Sequence, residues 1–264
     1  MQNNPMNTQL QQGQSVFGTM IRLVPDPGLV SLLANLGYDF ILIDMEHSVF
    51  SLETVATLVR VARQQGLTAI VRPPVGEKPY MARLLDAGAQ GLMIPMMETR
   101  DQAERIRDAC FYRPLGLRGC ATLLGQTDFI NTPAPAQAEE ANQSTLILAQ
   151  IESKKGVENA EAILSVEGIE AAIIGPHDLS DSLGIVGQMN HPALIHAIQQ
   201  VIHACRVMGK PCGIHAGDLE QVQYWSHQGM RILACSTDTH ALYHYYKDLV
   251  DRFGGHRSQP EEKR

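Results

Sequence analysis

Short apolar runs alternate with longer stretches in which apolar residues recur every three or four positions, and the alternation continues from about residue 16 to about residue 253. The clearest run is Phe40 to Asp44, FILID, closed by a carboxylate. An apolar run without internal alternation is buried on both faces, as in a parallel sheet covered by helices. Runs of this kind predict strands at Val16 to Arg22, Phe40 to Asp44, Thr68 to Arg72, Gly91 to Met96, Leu146 to Ile151, Ala171 to Gly175, Pro211 to His215 and Arg231 to Ser236. Helices are expected at Gly28 to Leu36, Leu52 to Gln64, Pro79 to Asp86, Arg100 to Cys110, Val157 to Ser165, Pro192 to Met208, Leu219 to His227 and Leu242 to Phe253. Leu194, Ile198, Val201, Cys205 and Met208 form one buried stripe along the longest of these. Thr99 with Gln102 forms a capping-box pair, and Gly66, Gly88, Gly209 and Gly229 stand where C-terminal caps belong.

Eight βα units in about 240 residues make the inventory of a (β/α)8 TIM barrel, with a doubly wound open sheet as the alternative. A single catalytic domain over residues 16–253 is expected, flanked by a disordered segment at 1–15 and a disordered tail at 254–264. One segment breaks the pattern. Phe111 to Gln143 separates the fourth helix from the fifth strand, and so long a connection predicts an active-site lid or a contact with a second copy, with a short extra strand at Leu117 to Cys120.

Composition narrows the class. The chain has 264 residues, 44% hydrophobic, with a formal net charge of −7. No Lys/Arg cluster suits a nucleic-acid surface, and no apolar run approaches the roughly 20 residues of a membrane span. The five cysteines are scattered, without a C-x-x-C pair, and read as reduced thiols of a soluble cytoplasmic protein.

Candidate chemistry gathers where strands end, the face on which barrels of this kind bind ligands. The second strand delivers Asp44, Glu46 and His47, the third Arg72, the fifth Gln150 and Glu152, and the sixth Gly175, Pro176, His177 and Asp178. Glu152 and Asp178, each following an apolar strand, can supply oxygen ligands to a hard divalent cation, or can be two acids facing helix N-termini. Arg72, held extended by the prolines after it, can bind a carboxylate and meet charge developing on an enolate oxygen, or can form a structural ion pair with one of the rim acids. His47 can be a base oriented by Asp44, or a histidine satisfied by a backbone carbonyl. Glu46 can bond a water at the metal or face solvent.

In order along the chain, LIDMEHS, IVRPP, LMIPMMET, QIESKKGVENAEAILSVEGIEAAIIGPHDLSDSLG and TDT resemble the HpcH/HpaI aldolase family, within the phosphoenolpyruvate/pyruvate barrel group. The similarity runs from about Phe17 to Phe253. It implies a (β/α)8 barrel that assembles as a homo-oligomer, commonly a hexamer, and uses Mg2+, Mn2+ or Co2+. It also implies reversible cleavage of a 4-hydroxy-2-oxo acid to pyruvate and an aldehyde through a pyruvate enolate. By position, the resemblance makes Glu152 and Asp178 metal ligands, Arg72 the binder of carboxylate and enolate oxygen, and His47 with Asp44 a dyad acting through water. Gln150, Gly175, Pro176 and His177 then line the substrate site. Lys154 and Lys155 lie past the strand end, which does not suit a Schiff-base lysine.

Met45, where the family commonly has glycine, and His177, where it has alanine, depart from the pattern, as do Arg22 and the long segment with RGCATLLGQTDF. These departures concern the aldehyde more than the pyruvate half, and Arg22 with His177 would favour an acidic acceptor. The alternatives are a citrate-lyase-β-like acyl-CoA lyase, an oxaloacetate decarboxylase on the same enolate platform, and a non-catalytic barrel that binds no divalent ion.

Overall fold

A computed structural model describes residues 4–254. Eight parallel strands close on one another in sequence order, β1 (Val16–Ile21), β2 (Phe40–Asp44), β3 (Thr68–Arg72), β4 (Gly91–Ile94), β5 (Leu146–Ile151), β6 (Ala171–Ile174), β7 (Cys212–Ala216) and β8 (Ile232–Thr237). β8 returns to pair with β1, so the open-sheet alternative falls away.

Two apolar layers hold the barrel, and strand alternation sorts residues between them. Phe40 and Leu42 of β2 point into the barrel with Met20, Ile70, Met93, Leu148 and Ile173. Ile41 and Ile43 point outward onto the helices. A Cβ at position 18 would stand 2.6 Å from the Phe40 ring, so Gly18 is what lets that ring fill the interior.

The helices α2 (Pro27–Asn35), α3 (Leu52–Gln64), α4 (Lys78–Asp86) and α5 (Arg100–Cys110) follow the first four strands. After them come α7 (Lys154–Glu158), α8 (Ala160–Leu164), α9 (Pro176–Ser182), α10 (Pro192–Val207), α11 (Leu219–His227) and α12 (Asp238–Gly254). The cap expected at Thr99 forms, with its Oγ1 accepting from the Gln102 N–H at 3.2 Å, and Asp218 caps α11 in the same way, accepting from the Gln221 N–H at 2.9 Å. The helix expected after β5 divides at Asn159 into α7 and α8, and α9 was not expected.

Two expectations are corrected. The N-terminal segment is not disordered over its described part: α1 (Pro5–Gln11) is a seven-residue helix that plugs the N-terminal end of the barrel. Met6 and Leu10, one turn apart, enter the interior cluster. Asn4 caps the helix and also donates to the Gln90 and Ser144 carbonyls at 3.0 and 2.9 Å, while Arg231 donates to the Leu10 carbonyl at 2.8 Å. Burying the Met6 side chain contributes about 1.5–3 kcal/mol. The expected C-terminal tail lies, beyond Gly254, outside the described residues.

The long connection is the second. It forms no strand at 117–120; its order comes from a short 3-10 turn at Gly125–Thr127 and from α6 (Ala134–Ser144). None of its residues lines the cavity at the C-terminal end of the barrel, where a lid was expected. Arg63 grips Asp128 at 2.7 and 3.0 Å, and Arg118 reaches Asp86 and Gln126 at 2.6 and 2.7 Å with its guanidinium over the Tyr112 ring. These anchors pin it beside Gly88 and Gln90, at the N-terminal end of β4.

Candidate active site

The register of β2 on β3 sets the centre of the site, because it pairs Asp44 with Arg72 at the C-terminal end of both strands. The side chains meet there as a two-point bond, Arg72 Nε to Asp44 Oδ1 at 2.9 Å and Nη2 to Oδ2 at 2.8 Å. Asp44 is fully buried. Burial alone would raise its carboxyl, but the bonds and charge of Arg72, helped by the N–H groups of His47 and Glu46, hold it below the ordinary carboxylate range. Arg72 turns its remaining nitrogen, Nη1, to Glu46 at 3.1 Å.

Asp44 therefore does not orient the His47 imidazole as expected. Its Oδ1 accepts the backbone N–H of Glu46 and His47 at 3.0 and 3.3 Å, shaping the turn that presents the ring. The carboxylate nearest His47 Nε2 is Glu46 at 3.9 Å, and more than half of the His47 side chain is open to solvent. The spacing of Asp44 and His47 suggested a dyad; pairing across the strands commits the aspartate to Arg72 instead.

Glu152 follows β5 and is buried, at 3% exposure, with Oε1 accepting the Met96 N–H at 2.7 Å and Oε2 bonded to the Gln150 amide. Met96 takes a positive φ of 50°, a costly conformation for this residue, and thereby turns its N–H to the carboxylate. Burial, and then the like charges of Asp178 and Glu46, push the Glu152 carboxyl up to about 7 against the opposing effect of Met96 and Arg72. Gly175 is required beside it, since a Cβ there would stand 2.5 Å from Glu152 Oε2. Asp178 lies in the first turn of α9.

Arg72, His47, Gln150, Gly175, Pro176, His177 and Asp178 line one cavity of about 370 Å3 at the C-terminal mouth of the barrel, in the size range of small-molecule sites. Lys154 and Lys155 lie outside it on the surface, with Lys155 paired to Glu98 at 3.1 Å. Met20, Arg22, His215, Ser236 and His240 also line the cavity, and of these the sequence reading singled out Arg22 alone. The rule that marks Asp44 also marks His215, the penultimate residue of β7. Its Nε2 lies 3.0 Å from the Ser236 carbonyl, and burial drives its pKa down to about 4, so the ring is neutral at pH 7.

The donor set fits a hard divalent cation. Glu152 and Asp178 offer carboxylate oxygens, and a cation would relieve both the burial that chiefly raises the Glu152 pKa and the smaller repulsion from Asp178 and Glu46. Gln150 Oε1, a buried acceptor without a hydrogen-bond partner, belongs to a side chain lining the same cavity. Among the described residues no group of three or more His, Cys, Asp and Glu could hold a metal, so a cation on the two carboxylates would keep positions for water or substrate oxygens.

Known proteins match this chain over nearly its whole length. A hydroxypyruvate/pyruvate aldolase of Pseudomonas aeruginosa is 32% identical, covering 97% of this chain and 95% of that protein. A 4-hydroxy-2-oxo-heptane-1,7-dioate aldolase of Salmonella arizonae is also 32% identical, with 96% of each chain covered. The crystal structure of an HpcH/HpaI aldolase from Desulfitobacterium hafniense superposes with a TM-score of 0.91 at 33% identity, covering 98% of this chain and 99% of that one. The HpcH/HpaI aldolase/citrate lyase family model matches residues 24–244, and the chain belongs to that family.

Proposed function

We propose that this carbon–carbon lyase cleaves a 4-hydroxy-2-oxo acid reversibly to pyruvate and an aldehyde, with a divalent cation held by Glu152 and Asp178. The observation that carries the reading is the single cavity lined by His47, Arg72, Gln150 and Asp178, with Glu152 bonded to Gln150. When bound, the cation would supply a Lewis acid that polarises the 2-oxo group of the substrate.

The chain's own residues do the rest. Arg72, fixed by Asp44 before substrate arrives, directs positive charge to the oxygen on which enolate charge develops, and loses little side-chain freedom in doing so. In cleavage the C4 hydroxyl loses a proton, the C3–C4 bond breaks and the aldehyde leaves. Its electron pair stays on the three-carbon fragment as an enolate, which takes a proton at C3 to become pyruvate. His47, exposed at the cavity edge, moves these protons directly or through a water, with Glu46 as its neighbouring carboxylate.

Pyruvate release from 4-hydroxy-2-oxo acids, followed with and without a chelator, tests the proposal. His47→Ala is expected to lower kcat/KM by about 10²- to 10⁴-fold, the usual contribution of a positioned base. Cleavage at the wild-type rate by the variant would remove His47 from the mechanism.

The same reading extends to assembly and location. Tyr243, Tyr245, Tyr246, Leu249 and Val250 of α12 are exposed, as are Leu117, Leu123, Phe129 and Ile130 of the long connection. So much apolar surface supports contact with further copies, up to the hexamer implied by the resemblance. Light scattering is expected to give a multiple of the 29.0 kDa chain mass; a monomeric mass would refute the assembly. Free thiols at all five cysteines support a reducing compartment, the cytoplasm. No described helix is long and apolar enough to cross a membrane.

A further inference from the structure

β8 carries one residue more than β1 can pair. Gly18 pairs with Ala234 but Met20 pairs with Thr237, so Cys235 and Ser236 together stand opposite Thr19. A bulge of this kind is rare between parallel strands and leaves one residue outside the ladder. Ser236 takes a φ of 60°, a region that suits glycine and strains a residue with a Cβ. Its carbonyl is held from both sides. Thr19 Oγ1 of β1 donates to it at 3.4 Å, and His215 Nε2 of β7 lies nearer, at 3.0 Å. A carbonyl only accepts, so Nε2 carries the proton of the neutral ring.

His215 reaches the bulge from inside the barrel. A Cβ at Gly213 would press on Ile173 and Ile232, two interior residues, so Gly213 faces inward and His215, two positions on, faces inward too. Met20, Arg72, Gln150 and His215 come one each from β1, β3, β5 and β7 and all line the cavity, as the uppermost interior layer of a TIM barrel does. The imidazole is part of the cavity floor.

The bulge leads directly into one wall of the cavity. Thr237, advanced by one residue, lines it and accepts the His240 N–H at 3.1 Å. Asp238 then accepts the backbone N–H of Arg22, Leu23 and Val24 at 3.1, 3.0 and 2.8 Å, which ties the loop after β1 to α12. Arg22, Ser236 and His240 line the same cavity. In the closed strand order β1 stands opposite β5, the strand that leads to Glu152, so this wall lies across the cavity from that carboxylate.

We infer that His215 is a positioning residue for the aldehyde half of the reaction: through the Ser236 carbonyl it locks the β8 bulge, and the locked bulge sets the wall against which the aldehyde lies. The inference rests on the aldolase reading and deepens it. The same bond offsets the strain at Ser236, and in this role the imidazole neither takes nor gives a proton.

The test uses full-length, metal-loaded enzyme with pyruvate, and with acetaldehyde and glycolaldehyde as probe acceptors. His215→Leu keeps apolar bulk without an N–H and is expected to raise the KM of the better acceptor about 10- to 100-fold, the usual cost of leaving an acceptor short of its donor. Exchange of the pyruvate methyl protons with solvent is expected to change by about twofold at most. His215→Gln, which brings an amide N–H to a similar reach, is expected to recover most of the loss. Ser236→Gly added to His215→Leu is expected to regain about fivefold, because glycine adopts the positive φ without help. Amide hydrogen exchange needs no substrate. In His215→Leu the amides of Arg22, Leu23 and Val24 are expected to exchange about tenfold faster, while those of β3 keep their wild-type rates. A wild-type KM for the aldehyde in His215→Leu, or unchanged protection at residues 22–24, would overturn the clamp. So would Leu and Gln variants impaired alike, or a loss of methyl-proton exchange as large as the loss of aldehyde use. Wild-type enzyme that fails to exchange the methyl protons would overturn the aldolase reading and the aldehyde wall with it, and the amide rates would still decide the clamp.

Discussion

Glu152→Gln is expected to lower kcat/KM by about 10³-fold or more, at least the cost of losing one oxyanion-stabilising contact, about 2.7–4 kcal/mol. The amide keeps the size of the side chain and can still accept the Met96 N–H, but it removes the charge that holds a cation. Calorimetric titration with Mn2+ is expected to show weakened binding in this variant and in Asp178→Asn. The wild-type protein carries a further signature. Because its carboxyl is held near 7, a cation must displace a proton below that pH, and affinity is expected to fall about tenfold per unit under pH 7. In metal-free protein the sign is the reverse of the usual carboxylate. A folded pKa of about 7 against an ordinary 4.5 contributes stability that is complete below about pH 4.5 and is lost as pH rises through 7, by about 3 kcal/mol at most. The thermal midpoint of metal-free protein should therefore fall between pH 5 and pH 8, and Glu152→Gln should remove that slope. A wild-type slope unchanged in the variant would show that Glu152 is not its origin.

Arg72→Lys is expected to cost about 10²- to 10³-fold in kcat/KM while leaving the fold intact. Lysine keeps a positive charge but cannot bond both Asp44 oxygens and still present a donor to substrate. Arg72→Ala tests a different quantity. It leaves the fully buried Asp44 carboxylate without its partner, and urea denaturation is expected to show a loss of about 3–5 kcal/mol. Asp44→Asn separates the two roles, since it frees Arg72 from one acid while leaving Glu46 in place. An Arg72→Lys variant with wild-type activity would contradict the assignment of enolate charge to this guanidinium.

The strands were legible in the sequence because burial on both faces makes them continuous apolar runs, as FILID shows. Helix existence was legible because one buried face leaves apolar residues at every third or fourth position, and helix boundaries less so. The last helix begins at Asp238, four residues before the expected Leu242, because Asp238 to His240 are polar residues with tasks at the rim. α1 was overlooked because its two core residues, Met6 and Leu10, sit in an otherwise polar segment, although Asn4 followed by Pro5 is a helix-start signal. The order of the long connection depends on Arg63 with Asp128 and Arg118 with Asp86, pairs far apart in sequence that no local pattern reveals.

The site divides in the same way. Strand ends named Asp44, His47, Arg72, Glu152 and Asp178, but spacing alone could not say which acid bonds which base. Register decided that Asp44 belongs to Arg72. The positive φ of Met96, in what was expected to be the last residue of β4, comes from the need of Glu152 for a donor.

The most direct test of the central claim is proton–deuterium exchange at the methyl group of pyruvate in D2O, followed by NMR with Mg2+ or Mn2+, with EDTA, and with His47→Ala. It requires no knowledge of the aldehyde. The site described here predicts exchange that depends on the divalent ion and is lost with EDTA and in the variant. Folded, metal-loaded protein that leaves the methyl protons unexchanged would contradict it.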